Sequence, residues 1–155
     1  MMNAAPRRIL AAVRAHGDDR AVVRYAADLA TALGGEMILV GVAPIVPVLT
    51  PVDYPLDPFS LDEQVQRQEI ADRLAREQLD ELAATLDAAL PRESGVSWGS
   101  LGPATVEAAR EHDADLVVIA MRARDHELGH VLHDHADRYV LHHCDVPVLV
   151  VPTGA

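Results

Sequence analysis

Three uninterrupted apolar runs stand out along the chain: Ile9 to Val13, Met37 to Val42 and Leu116 to Ala120. A fourth, Val146 to Val151, contains Pro147. Runs of this length with no polar alternation are expected of strands buried on both faces. The segments between them change period. Val22, Val23, Ala26, Leu29, Ala30 and Leu33 fall at helical spacing, with Asp18 or Asp19 placed to cap and Gly34-Gly35 placed to stop the helix. Leu61, Val65, Leu74, Leu82 and Leu86 predict the apolar stripe of a long helix that ends before Pro91. Ser60 to Glu63 matches a capping box at its start. Val96-Ser97-Trp98 reads as a weak strand. Gly102-Pro103 opens another helix, with Val106 and Ala109 facing inward. Leu128, Val131, Leu132, Tyr139 and Val140 mark a last helix before the closing strand. Asp113 and Asp115 suit a turn before Leu116, and Trp98 suits strand packing.

Strands and helices therefore alternate. This predicts an α/β fold with a parallel sheet and helices on both faces. Ligands in such folds bind beyond the strand carboxyl ends where strand order reverses, so the loops after Arg14 and Met121 are the ones to inspect. Neither an internal repeat nor a linker divides residues 1–155, which read as a single domain. Residues 44–60 carry prolines at 44, 47, 51, 55 and 58, too dense for a regular helix or central strand.

Composition narrows the function. The formal net charge is −11, which argues against nucleic acid or an anionic membrane as the main partner. All 13 basic residues are arginine, so a phosphate-loop lysine and a lysine Schiff base are both excluded. Aromatic residues are 3% of the chain, too few to build stacking platforms for single strands. Cys144 is the single cysteine, which excludes an intrachain disulfide and a cysteine zinc cluster. No apolar run approaches the roughly 18 residues of a membrane span, and no signal segment precedes Ile9, so a cytoplasmic protein is expected.

Three stretches resemble the universal stress protein family. They are Arg8 to Val13 with Arg24 to Ala30, then Gly102-Pro103-Ala104 with Ala114 to Ile119, and Asp145 to Val151. The resemblance implies an open five-stranded parallel sheet. It also implies a homodimer paired through the closing strand, here Val148, Leu149, Val150 and Val151. Some members of the family bind ATP through Gly-x2-Gly-x9-Gly-Ser/Thr after the fourth strand, together with an acid at the end of the first. Here the early glycines correspond to Ala120 and Ala123, and the late pair to His133-Asp134 or Asp134-His135. The acid corresponds to Arg14. A Cβ at each glycine position blocks close backbone approach to phosphate, so ATP held in the family's usual way is not expected; an ATP binder whose altered loop cradles phosphate through Arg122, Arg124 and Gly129 is an alternative.

Two clusters remain as candidate chemistry. Arg14, His16, Arg122 and Arg124, with Gly129 nearby in sequence, would form a basic pocket for a small anion at the switch point. Internal pairing with Asp18, Asp19 and Asp125 is the plainer alternative. The second cluster lies on the last helix. His126, His130, His133 and Asp137 fall on one stripe and could hold a divalent transition metal such as zinc, nickel or copper, although a solvated helix face rich in histidine accounts for them as well. His126-Glu127-Leu128-Gly129-His130 is a literal H-E-x-x-H, but a zinc hydrolase also needs a third ligand and a substrate cleft. Ser97 and Ser100 lack base and acid partners, so no catalytic residue is assigned and a non-enzymatic binding or regulatory module in stress response is expected.

Overall fold

The structure is a computed structural model and describes residues 4–14, 19–45, 61–122 and 136–153. Five strands and four helices alternate: β1 (Arg8–Arg14), α1 (Arg20–Leu33), β2 (Glu36–Ala43), α2 (Leu61–Ala84), β3 (Arg92–Trp98), α3 (Leu101–Glu111), β4 (Leu116–Arg122), α4 (Ala136–His143) and β5 (Val148–Thr153). The strands form one sheet in the order β3-β2-β1-β4-β5, and every pairing is parallel. The expected fold class is therefore the observed one.

The apolar runs are buried because they occupy the sheet's centre. Ile9, Ala11 and Val13 face a layer containing α1 and the end of α2. Leu10 and Ala12 face a layer containing α3 and α4. Successive strand residues point to opposite faces, so a strand covered on both sides must be apolar at every position. The edge strand β3 escapes this demand. Its first half, Arg92 to Ser94, is exposed, which is why a reading by hydrophobicity begins the strand only at Val96. The closing strand is shifted the other way: β5 starts at Val148 and runs through Pro152 to Thr153. Pro152 is tolerated because β5 lies at the sheet edge.

The turn from α1 to β2 rests on two glycines with different duties. Gly34 takes the left-handed conformation, φ 64°, and ends the helix as predicted. Gly35 lies against β1: a Cβ there would stand 2.3 Å from the Arg7 carbonyl oxygen. At the same edge, Asp115 Oδ2 accepts the backbone N–H groups of Arg7 and Arg8 at 3.0 and 2.9 Å. The Asp115 N–H donates to the Arg8 carbonyl at 2.8 Å, so the start of β1 is clamped to the approach to β4. Arg8 also pairs with Glu36 and Glu93, which ties the starts of β1, β2 and β3 together.

Helix α2 follows its predicted stripe only in part. Leu82 is buried as predicted, but Val65 and Leu74 are exposed, and Gln64, Ala75 and Leu79 are buried in their place. Ala75, Leu79 and Leu82, at i, i+4 and i+7, form the stripe that meets the sheet, and Leu74 lies off it. Ala75 packs on Ala43 at the end of β2, and Leu79 lies over Gly41. Asp72, one turn before Ala75, still meets Trp98 of β3. Trp98 also differs from expectation. It is 43% exposed, and its indole N–H donates to Asp72 Oδ1 of α2 at 2.6 Å.

Candidate functional site

The strand order reverses between β1 and β4, and the ladder between them is short. β1 pairs with β2 along its whole length, from Arg8↔Glu36 to Arg14↔Val42. It pairs with β4 only from Ile9↔Leu116 to Ala11↔Val118. Beyond Ala11 and Val118 the two central strands part. Arg14 lies three residues past the last pair on one side, and Arg122 four residues past it on the other. The two arginines named from sequence thus end neighbouring strands at the mouth of the opening.

Asp19 shapes this mouth. It occupies the N-cap position of α1 but makes no capping hydrogen bond. Its Oδ2 instead accepts the backbone N–H of Arg14 at 2.8 Å, folding the start of α1 back onto the end of β1. The carboxylate is 1% exposed. Among the described residues no donor reaches its Oδ1. Sequence reading placed Asp19 as a helix cap and missed this role. The signal for it was an acid five residues after the last residue of a buried strand.

Electrostatics at this edge favour an anion. Every helix follows a strand and begins at the carboxyl end of the sheet. The positive end of the α1 dipole, at Arg20, lies close to where Arg14 ends β1. Ala120 lies two residues before the end of β4 and carries a Cβ there. Thr153, buried, ends β5 opposite Arg122.

His16, Arg124, His126, Gly129, His130 and His133 lie outside the described residues. Of the predicted metal stripe only Asp137 is described, in the first turn of α4. Among the described residues no group of three His, Cys, Asp or Glu side chains could hold a metal ion. Cys144 is half-buried just after α4, and its N–H donates to the Val140 carbonyl at 2.9 Å.

The predicted pairing edge is present as an open edge. Val148, Leu149, Val150 and Val151 are all half-buried in β5. Val148 and Val150 pack toward α3 and α4, and Leu149 and Val151 toward α1 and α2. β5 pairs with β4 on one side, and among the described residues no strand pairs with its other side. The opposite edge, β3, presents Arg92 and Glu93.

A sequence profile of the universal stress protein family matches residues 6–152. The chain belongs to the universal stress protein family. No curated protein matches it. Solved structures of the family share its fold. The universal stress protein UspA from Lactobacillus plantarum is 22% identical, with 96% of this chain and 99% of that one covered and a TM-score of 0.67. A universal stress protein in complex with cAMP is 17% identical, covers 97% of this chain and 100% of its own, and has a TM-score of 0.57. A universal stress protein from Archaeoglobus fulgidus in complex with dAMP is 20% identical, with coverage of 93% and 96% and a TM-score of 0.51. At these identities the likeness establishes the family's fold for this chain and leaves its ligand to be argued from its own residues. No helix among the described residues is long and apolar enough to cross a membrane.

Proposed function

We propose that the chain is a cytoplasmic, non-catalytic regulatory module of the stress response that binds a small anionic ligand at the parting of β1 and β4. The observation that carries this reading is the short β1–β4 ladder, with Arg14 and Arg122 at the two strand ends. Arginine offers fixed paired donors to a carboxylate or phosphate. The amino end of α1 adds positive potential beside Arg14. ATP held on a glycine cradle is not part of the proposal: Arg14 replaces the family's acid, and Ala120 and Ala123 replace its glycines. The nucleoside monophosphates in the cAMP and dAMP complexes of similar structures support one phosphate, and not a triphosphate, as the group to test.

The working unit in this proposal is a homodimer joined along β5. An edge made of Val148 to Val151 leaves apolar side chains half-covered and backbone groups unpaired, which pairing with a second copy would satisfy. The charged β3 edge is blunted against the same event.

The test is calorimetric titration with AMP, cAMP and ATP, run beside native mass spectrometry and elemental analysis of the same preparation. The expected result is a dimer that binds AMP or cAMP and loses at least tenfold in affinity in the Arg14→Gln/Arg122→Gln variant. A variant that binds as well as the parent would overturn the arginine site. ATP bound more tightly than either monophosphate would restore the cradle reading. Stoichiometric zinc or nickel would move the function to the histidine stripe.

A further inference from the structure

Alternate residues of β1 turn their backbone groups to different neighbours. The Arg7 carbonyl accepts the Glu36 N–H of β2 at 2.7 Å. The Arg8 carbonyl accepts the Asp115 N–H, on the approach to β4, at 2.8 Å. This alternation continues along a strand, so the even-numbered residues of β1 face β4. Arg14 is one of them. Its N–H lies past Ala11↔Val118, the last pair of the β1–β4 ladder. Asp19 Oδ2 accepts it there, at 2.8 Å. The Asp19 carboxylate therefore stands on the β4 side of β1, in the opening between the two strands, where a longer ladder would have put a β4 carbonyl.

The other oxygen of this carboxylate has no such use. Asp19 is 1% exposed, and among the described residues no donor reaches its Oδ1. Asp19 holds the N-cap position of α1 yet makes no side-chain capping bond, so the helix does not supply the donor. A buried carboxylate oxygen left without a donor is costly, and an arriving donor removes that cost. The acid also gives the opening a direction. A bare anion is repelled by Asp19. The Arg14 guanidinium lies a full side chain away from the N–H that Asp19 holds, so an anionic group on it sits apart from the carboxylate. A ligand that satisfies both carries its charge at one end and a donor at the other.

We infer that Asp19 selects the ligand of this site: a phosphate monoester with a hydroxyl or amino donor remote from its phosphate, the donor on Asp19 Oδ1 and the phosphate at the arginines. The inference rests on the arginine site proposed above. It adds a demand that arginine does not make, because arginine holds any phosphate whatever lies at its far end.

The experiment is calorimetric titration of the full chain with AMP and two analogues. One is 2′,3′-dideoxyadenosine monophosphate, which lacks both ribose hydroxyls. The other is inosine monophosphate, in which a carbonyl replaces the base amine. AMP is expected to bind, and one analogue to lose roughly tenfold or more, which identifies the hydroxyl or the amine as the donor. Asp19→Asn keeps an oxygen for the Arg14 N–H and removes the charge. In this variant AMP should weaken while the disfavoured analogue binds at least as well as it does to the parent. A folding defect would weaken all three ligands together. Equal affinity of the parent for all three, or a preference that survives unchanged in Asp19→Asn, overturns the inference and leaves the arginine site standing. Failure of AMP to bind overturns the arginine site and the inference with it.

Discussion

Gly34 and Gly35 are adjacent, but the structure gives replacement by alanine very different costs. At Gly34 a Cβ would meet nothing within 4 Å, and only the backbone conformation, φ 64°, resists it. A non-glycine residue in the left-handed region costs about 1–2 kcal/mol, and the smaller unfolded-state entropy of alanine returns about 0.4–1 kcal/mol. Gly34→Ala should therefore lose roughly 0.5–1 kcal/mol. At Gly35 no unusual φ is required, but a Cβ would lie 2.3 Å from the Arg7 oxygen and 3.0 Å from the Arg7 C and Cα. These are backbone atoms and cannot rotate away. The same oxygen accepts the Glu36 N–H at 2.7 Å, the hydrogen bond that opens the β1–β2 ladder. Relief requires the strand starts to separate, so the cost reaches the upper end of the usual overpacking range, about 3 kcal/mol or more. With a urea slope of about 2 kcal/mol/M, the midpoints should fall by about 0.3–0.5 M and by at least about 1.5 M. Urea unfolding followed by far-ultraviolet circular dichroism, at one protein concentration so that any dimer contributes equally, measures both. Equal losses, or a larger loss at Gly34, would refute the reasoning.

Two further outcomes follow from other parts of the molecule. Val150→Asp places a charge on the open β5 edge and should convert the proposed dimer to monomer in sizing with light scattering, whereas an unchanged dimer sinks the β5 interface. Asp115→Ala removes the acceptor of two backbone N–H groups at the start of β1 and should cost about 1–2 kcal/mol in the same urea assay, with Asp115→Asn recovering part of it. Full stability in Asp115→Ala would mean that water replaces the carboxylate without loss.

Much of the fold was legible because the central strands are buried on both faces. Burial of that kind leaves an unbroken apolar run, and Ile9 to Val13, Met37 to Val42 and Leu116 to Ala120 all show it. Gly34 was legible as a stop because few other residues tolerate a positive φ. The beginning of β3 was not legible, since an edge strand facing solvent has no hydrophobic requirement and is specified by backbone pairing with β2. The stripe of α2 misled in part: Leu82 is buried as predicted, but Leu74 lies beside and not on the face formed by Ala75, Leu79 and Leu82 that meets the sheet.

The candidate site divides along the same line. The chain by itself placed arginines at the ends of two apolar strands, made the closing strand apolar, and withheld the glycines of a phosphate cradle. These are properties of residue type and spacing, which need no partner to be read. Only the tertiary structure made β1 and β4 neighbours, parted them after Ala11 and Val118, and turned Asp19 from a helix cap into the acceptor of the Arg14 N–H. Only it left a groove between α1 and the end of α2, lined by Arg20, Arg24, Asp28 and Asp87. Strand order and helix clearance come from contacts between segments far apart in the chain. A local pattern sets which face of an element is apolar, but not which neighbour that face meets.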